Sequence, residues 1–66
     1  MLTVAQIGVG YWGPNLLRNL VACKRCQVKR VADLSKERQI YVKTLYPDIE
    51  VTDNADQIFQ DPTIDA

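Results

Sequence analysis

The sequence predicts an α/β fold on a parallel sheet, and three observations predict it. Short apolar runs with β-branched residues alternate with segments of helical periodicity, in the order β-α-β-α-β-α. The first run stops at a glycine-rich hexapeptide, Gly8-Val9-Gly10-Tyr11-Trp12-Gly13. The second run stops at an acid, Asp33, which lies about 20 residues beyond Gly13.

Thr3-Val4-Ala5-Gln6-Ile7 reads as a buried parallel strand, apolar on both faces because helices cover both. The glycine turn follows, and then Pro14, which a first helical turn tolerates because its missing N–H would be unpaired there. Leu16, Leu17, Leu20 and Val21 form one stripe of the first helix, which fades near Cys23 with Lys24 and Arg25 by its negative end. Val28 to Ala32 is the second strand, although Lys29 and Arg30 make it less apolar than the first. Ser35 is a natural N-cap for the second helix, with Glu37 in its first turn. Tyr41 and Leu45 make an i, i+4 pair on that helix, and Pro47 ends it. Ile49 to Thr52 is a short third strand. Asp53 or Asn54 caps a third helix with Ala55, Ile58 and Phe59 on one side, and Asp61-Pro62 closes it. Thr63 to Ala66 leads toward a further strand. The expected architecture is therefore half of a doubly wound parallel sheet, with strands 3, 2 and 1 of the order 3-2-1-4-5-6.

Composition narrows the function. The 66 residues hold eight basic and eight acidic side chains, no histidine, and 47% hydrophobic residues. A neutral chain offers no electrostatic footprint for nucleic acid. No apolar run approaches the ~20 residues of a membrane span, and no charged-then-apolar leader opens the chain; a cytoplasmic setting is expected. Cys23 and Cys26 form a C-x-x-C, but no further cysteine or histidine exists to complete a zinc site. They sit where a helix ends rather than where one begins, so the expectation is two reduced thiols flanking a turn.

Gly8, Gly10 and Gly13 satisfy G-x-G-x-x-G. In this motif the first glycine permits the tight turn, the second lets a pyrophosphate approach the backbone, and the third lets helix pack on strand. The free N–H groups and dipole at the helix start favour phosphate charge. Asp33 is placed to accept hydrogen bonds from the hydroxyls of the adenosine ribose, and its charge opposes a 2′-phosphate. The expected cofactor is NAD, with NADP as the alternative because Arg38 and Lys36 follow closely. Tyr11 and Trp12 stand inside the turn, where their backbone N–H groups would face the pyrophosphate and Trp12 would line a pocket or cover the sheet edge. The expected cofactor-binding set is Gly8, Gly10, Tyr11, Trp12, Gly13, Asp33 and Arg38.

The stretch from Val4 through Gly8-Val9-Gly10-Tyr11-Trp12-Gly13-Pro14-Asn15 to Arg18-Asn19-Leu20 resembles the N-terminus of the glucose-fructose oxidoreductase, inositol dehydrogenase and rhizopine-catabolism (Gfo/Idh/MocA) family, and looks most like members that oxidise sugar nucleotides. Val31 to Arg38 and Asp61 to Ala66 are similar to that family's second strand and its lead-in to a fourth. The resemblance implies an NAD(P)-dependent dehydrogenase acting on a sugar or sugar nucleotide. It implies that residues 1–66 are the first part of its Rossmann domain, with an E-K-P motif and a substrate domain beyond them. No catalytic residue is expected within this chain. The alternative is a non-catalytic nucleotide-sensing module using the same turn and acid. Two helices on one sheet face would leave apolar surface on the other, so the chain is expected to be poorly stable or to associate, and a homo-oligomer is the expected assembly.

Overall fold

The computed structural model describes residues 1–10 and 13–66. Six elements follow one another: β1 (Leu2–Ile7), α1 (Gly13–Ala22), β2 (Cys26–Ala32), α2 (Lys36–Leu45), β3 (Glu50–Thr52) and α3 (Asp56–Phe59). The three strands form one all-parallel sheet in the order β1-β2-β3. The type and order of all six elements agree with the sequence expectation.

One face of the sheet carries the core. Leu17 of α1 and Val42 of α2 are fully buried and cluster with Val9, Val31 and Ile49, so both helices cover the same side. Right-handed crossovers taken twice in one direction produce this placement. The expected apolar stripes of α1 and α3 are buried only in part, through Leu17 and Ile58. On α1 only Leu17 is fully buried, while Leu16 is 53% exposed and Val21 is also on the outside. On α2 the inward residue is Val42, and Tyr41 and Leu45 face out. On α3 Ile58 is buried and Phe59 is 74% exposed. Each residue turns the helix by about 100°, so a short helix on a narrow sheet buries one residue per face rather than a stripe.

A register shift explains the two basic residues in β2. Val4 pairs with Val28, but Ala5 pairs with Arg30, leaving Lys29 as an extra residue. A bulge of this kind puts neighbouring side chains on one side of the strand. Val28 and Val31 therefore both reach the core, and Lys29 and Arg30 both reach the other face. There Asp61 Oδ2 accepts from Lys29 Nζ at 2.7 Å and from Arg30 Nε at 3.1 Å, while Arg30 also pairs with Glu50 at 2.8 Å. These ion pairs hold the segment after α3 against the face that α1 and α2 leave open.

That segment then reaches the free edge of β1. Asp65 N–H donates to the Thr3 carbonyl at 2.7 Å, Ala5 N–H donates to the Ala66 carbonyl at 2.9 Å, and Thr3 N–H donates to Asp65 Oδ2 at 2.8 Å. The chain thus leaves β1 toward β2 on one side and returns to β1 on the other. No helix among the described residues is long and apolar enough to cross a membrane.

Candidate functional site

β1 ends at Ile7, and the backbone bends sharply through Gly8 and Gly10, whose φ values are +85° and +51°. L-residues rarely adopt these values, so glycine is required at both positions. A Cβ at either would enter open space, which leaves the outer side of the bend accessible. Gly13 differs. A Cβ there would come within 3.2 Å of Gln6 Nε2 and of Val9 Cγ1, so this glycine lets the start of α1 sit close on β1. Tyr11 and Trp12, both expected to contact a cofactor, lie outside the described residues.

Gln6 holds the bend from beneath. It is a polar residue buried in a mostly apolar strand. Its amide nitrogen donates to the Gly8 carbonyl at 3.0 Å and to the Gly13 carbonyl at 3.2 Å, joining the two ends of the turn. Its Oε1 is buried and has no hydrogen-bond partner among the described residues. Sequence reasoning assigned Gln6 no role; the available signal was a lone amide in a buried strand directly before a glycine turn, since buried polar side chains are held by hydrogen bonds.

Asp33 stands one residue beyond β2 and faces the same turn. Its Oδ2 accepts from Val9 N–H at 2.8 Å, and its Oδ1 accepts from Ser35 N–H at 2.8 Å. The carboxylate thus ties the glycine turn to the start of α2, combining a capping contact with a contact to the turn. An ionised carboxylate offers about four acceptor positions, so acceptor capacity remains on both oxygens. Ser35 caps α2 as expected, its Oγ accepting from Arg38 N–H at 3.3 Å. Arg38 is half-buried in the first turn of α2 and is not part of the cleft lining.

The carboxyl ends of the three strands open into a cleft of about 670 Å³, bounded by Gly8, Asp33 and Leu34 on one side and Asp53, Asn54 and Asp56 on the other. Its size falls in the range of small-molecule sites. Three carboxylates and an amide make this part of the cleft suited to hydroxyl and amino donors rather than to phosphate. Asn54 Oδ1 accepts from Asp56 N–H at 2.9 Å, a local turn contact; the N-cap of α3 is Ala55, which makes no side-chain cap bond, and not Asp53 or Asn54 as expected. Among the described residues no cluster of side chains suits a metal ion.

Comparison with known proteins gives no match to a family model, a curated protein or a solved structure.

Proposed function

We propose that this chain binds a nicotinamide dinucleotide, NAD in preference to NADP, as the cofactor-binding part of an oxidoreductase acting on a sugar or sugar nucleotide. The observation that carries the cofactor reading is the joining of the positive-φ glycine turn to Asp33 by the Val9 N–H bond, at the carboxyl ends of a parallel sheet. In a doubly wound Rossmann sheet, ligands bind in the crevice where connections leave a strand in opposite directions. β1 has α1 leaving toward β2 on one side and residues 65–66 pairing on the other, which gives its end that character.

The residues fit the cofactor. Gly8 and Gly10 leave open space where a pyrophosphate would meet the backbone, and the start of α1 supplies unpaired N–H groups and dipole. Asp33 retains acceptor positions for two ribose hydroxyls. Asp53 and Asp56 across the cleft add negative charge against a 2′-phosphate. The nicotinamide, when bound, supplies the hydride chemistry. Residues 1–66 bind and orient the adenosine and pyrophosphate end. The sugar or sugar-nucleotide substrate rests on the sequence resemblance, and the reaction would need residues outside this chain.

The test is titration of the full chain with NADH and NADPH, read by quenching of Trp12, its one tryptophan. NADH is expected to bind about tenfold more tightly, equivalent to roughly 1.4 kcal/mol of charge repulsion against the 2′-phosphate. Asp33→Ala weakens NADH and narrows the gap. No saturable binding to the folded chain, or unchanged NADH affinity in Asp33→Ala, overturns the proposal.

A further inference from the structure

Cys23 and Cys26 lie at the far end of the sheet from the glycine turn, where α1 passes into β2. Cys23-Lys24-Arg25-Cys26 is a four-residue turn, with Cys26 N–H donating to the Cys23 carbonyl at 3.3 Å. Such a turn brings its first and last Cα atoms within about 7 Å, near the span that a disulfide bridges. The fold fixes this approach from both sides. Cys23 N–H donates to Leu20 O of α1 at 3.2 Å, and Arg25 O accepts from Leu2 N–H at the start of β1 at 2.8 Å. Both cysteines are free thiols, Cys23 exposed and Cys26 half-buried.

We propose that Cys23 and Cys26 are a redox-responsive dithiol that closes to an intramolecular disulfide by exchange with a low-molecular-weight disulfide of the glutathione class. The two sulfurs have different parts. The Arg25 N–H, then the Cys26 thiol and N–H, converge on Cys23 and hold its pKa below the ordinary thiol value. Donating to Cys23, together with burial, raises Cys26. The thiolate is the nucleophile in exchange.

Cys23 thiolate attacks one sulfur of glutathione disulfide, forms a mixed disulfide and displaces one glutathione thiolate. Cys26 then loses its proton to solvent and attacks Cys23 Sγ, displacing the second glutathione thiolate. Two cysteine thiols are oxidised to one disulfide, and one glutathione disulfide is reduced to two thiols. Six residues of β2, Gln27 to Ala32, separate this turn from Asp33 and the cleft, so closure locks the α1–β2 connection without entering the nucleotide site.

Intact-mass analysis of the full chain after treatment with glutathione disulfide tests the proposal. The unsubstituted chain is expected to lose two hydrogens and carry no glutathione. Cys26→Ser is expected to stop at a mixed disulfide on Cys23. Cys23→Ser is expected to react several-fold more slowly, and that difference is expected to vanish in denaturing urea. Three results overturn the proposal: an unsubstituted chain that stays reduced or stops at the mixed disulfide, equal rates for the two variants in buffer, or a rate difference that survives unfolding.

Discussion

The three glycines, each given its own part by the motif, fall into two physical groups in the structure: Gly8 and Gly10 with positive φ, and Gly13 in close packing. Gly10 has φ +51° and open space at its Cβ position. Gly10→Ala should cost about 1 kcal/mol of stability from backbone strain alone. The added methyl would stand on the accessible side of the bend, so nucleotide affinity should fall by more than that strain predicts. Gly13→Ala instead drives a methyl against Gln6 and against Val9, which is 2% exposed and has little room to give. Its loss should appear chiefly in the urea midpoint, by about 1–3 kcal/mol of overpacking. Paired urea melts and NADH titrations of the two variants check this division; equal profiles would remove it. Gln6→Leu removes the donor that the part-buried Gly8 and Gly13 carbonyls share, at a cost of about 0.5–1.5 kcal/mol. The same melts read that loss, and an unchanged midpoint would show that Gln6 does not hold the turn.

At the scale of elements, periodicity showed which segments are helix and which are strand, but not which way each helix faces. Leu16 and Leu17 are equally apolar neighbours, and only contact with β2 decides that Leu17 is fully buried and Leu16 half exposed. Leu17→Ala should therefore cost about 3 kcal/mol, and Leu16→Ala under about 0.5 kcal/mol, in denaturant melts. The reverse ranking would mean that α1 is rotated from its position here. The bulge at Lys29 was equally hidden, because an extra residue in β2 exists only relative to its partner β1. Asp33 was legible through its spacing from Gly13, whereas its bonds to Val9 and Ser35 depend on two connections meeting. The bulge has a titratable consequence. Lys29 first, then Thr63, with Arg30 adding to them, hold the Asp61 carboxyl well below the usual carboxylate range. A carboxyl depressed in the folded state stabilises the fold fully above its unfolded pKa of about 3.9, and that stabilisation is lost as pH falls from there toward the folded value. Urea midpoints should thus drop between about pH 4 and pH 2 in the unsubstituted chain. Asp61→Asn should be weaker near neutrality and lose less over the same interval; a parallel pH profile would show that Asp61 is not a source of the acid sensitivity.

The chain has the radius typical of a folded domain of its length and still exposes much of its apolar surface. Its radius of gyration of 10.8 Å equals the value of about 10.8 Å expected for 66 folded residues. Its accessible surface of 4695 Å² nevertheless exceeds the roughly 4,250 Å² typical of a compact monomer of this mass. The excess includes large side chains. Ile7 at the end of β1, Leu34 at the cleft, Leu16 and Val21 on α1, and Phe59 on α3 are all exposed. A domain this small buries only about 60% of its unfolded surface and is marginal even when its apolar groups are covered. Contact between chains would remove that surface from water, so folding and association should be coupled. Sedimentation is expected to show a mean mass rising with concentration, and the melting temperature is expected to rise with it by mass action. A dinucleotide bound only to the folded chain should raise the same temperature at fixed protein concentration, adding about 2.7 kcal/mol at 100 times its dissociation constant. The two effects separate cleanly, because nucleotide stabilisation follows ligand concentration while association follows chain concentration. A monomer with a sharp, concentration-independent transition would show that the exposed side chains do not drive association, and would leave the nucleotide effect to be read by itself.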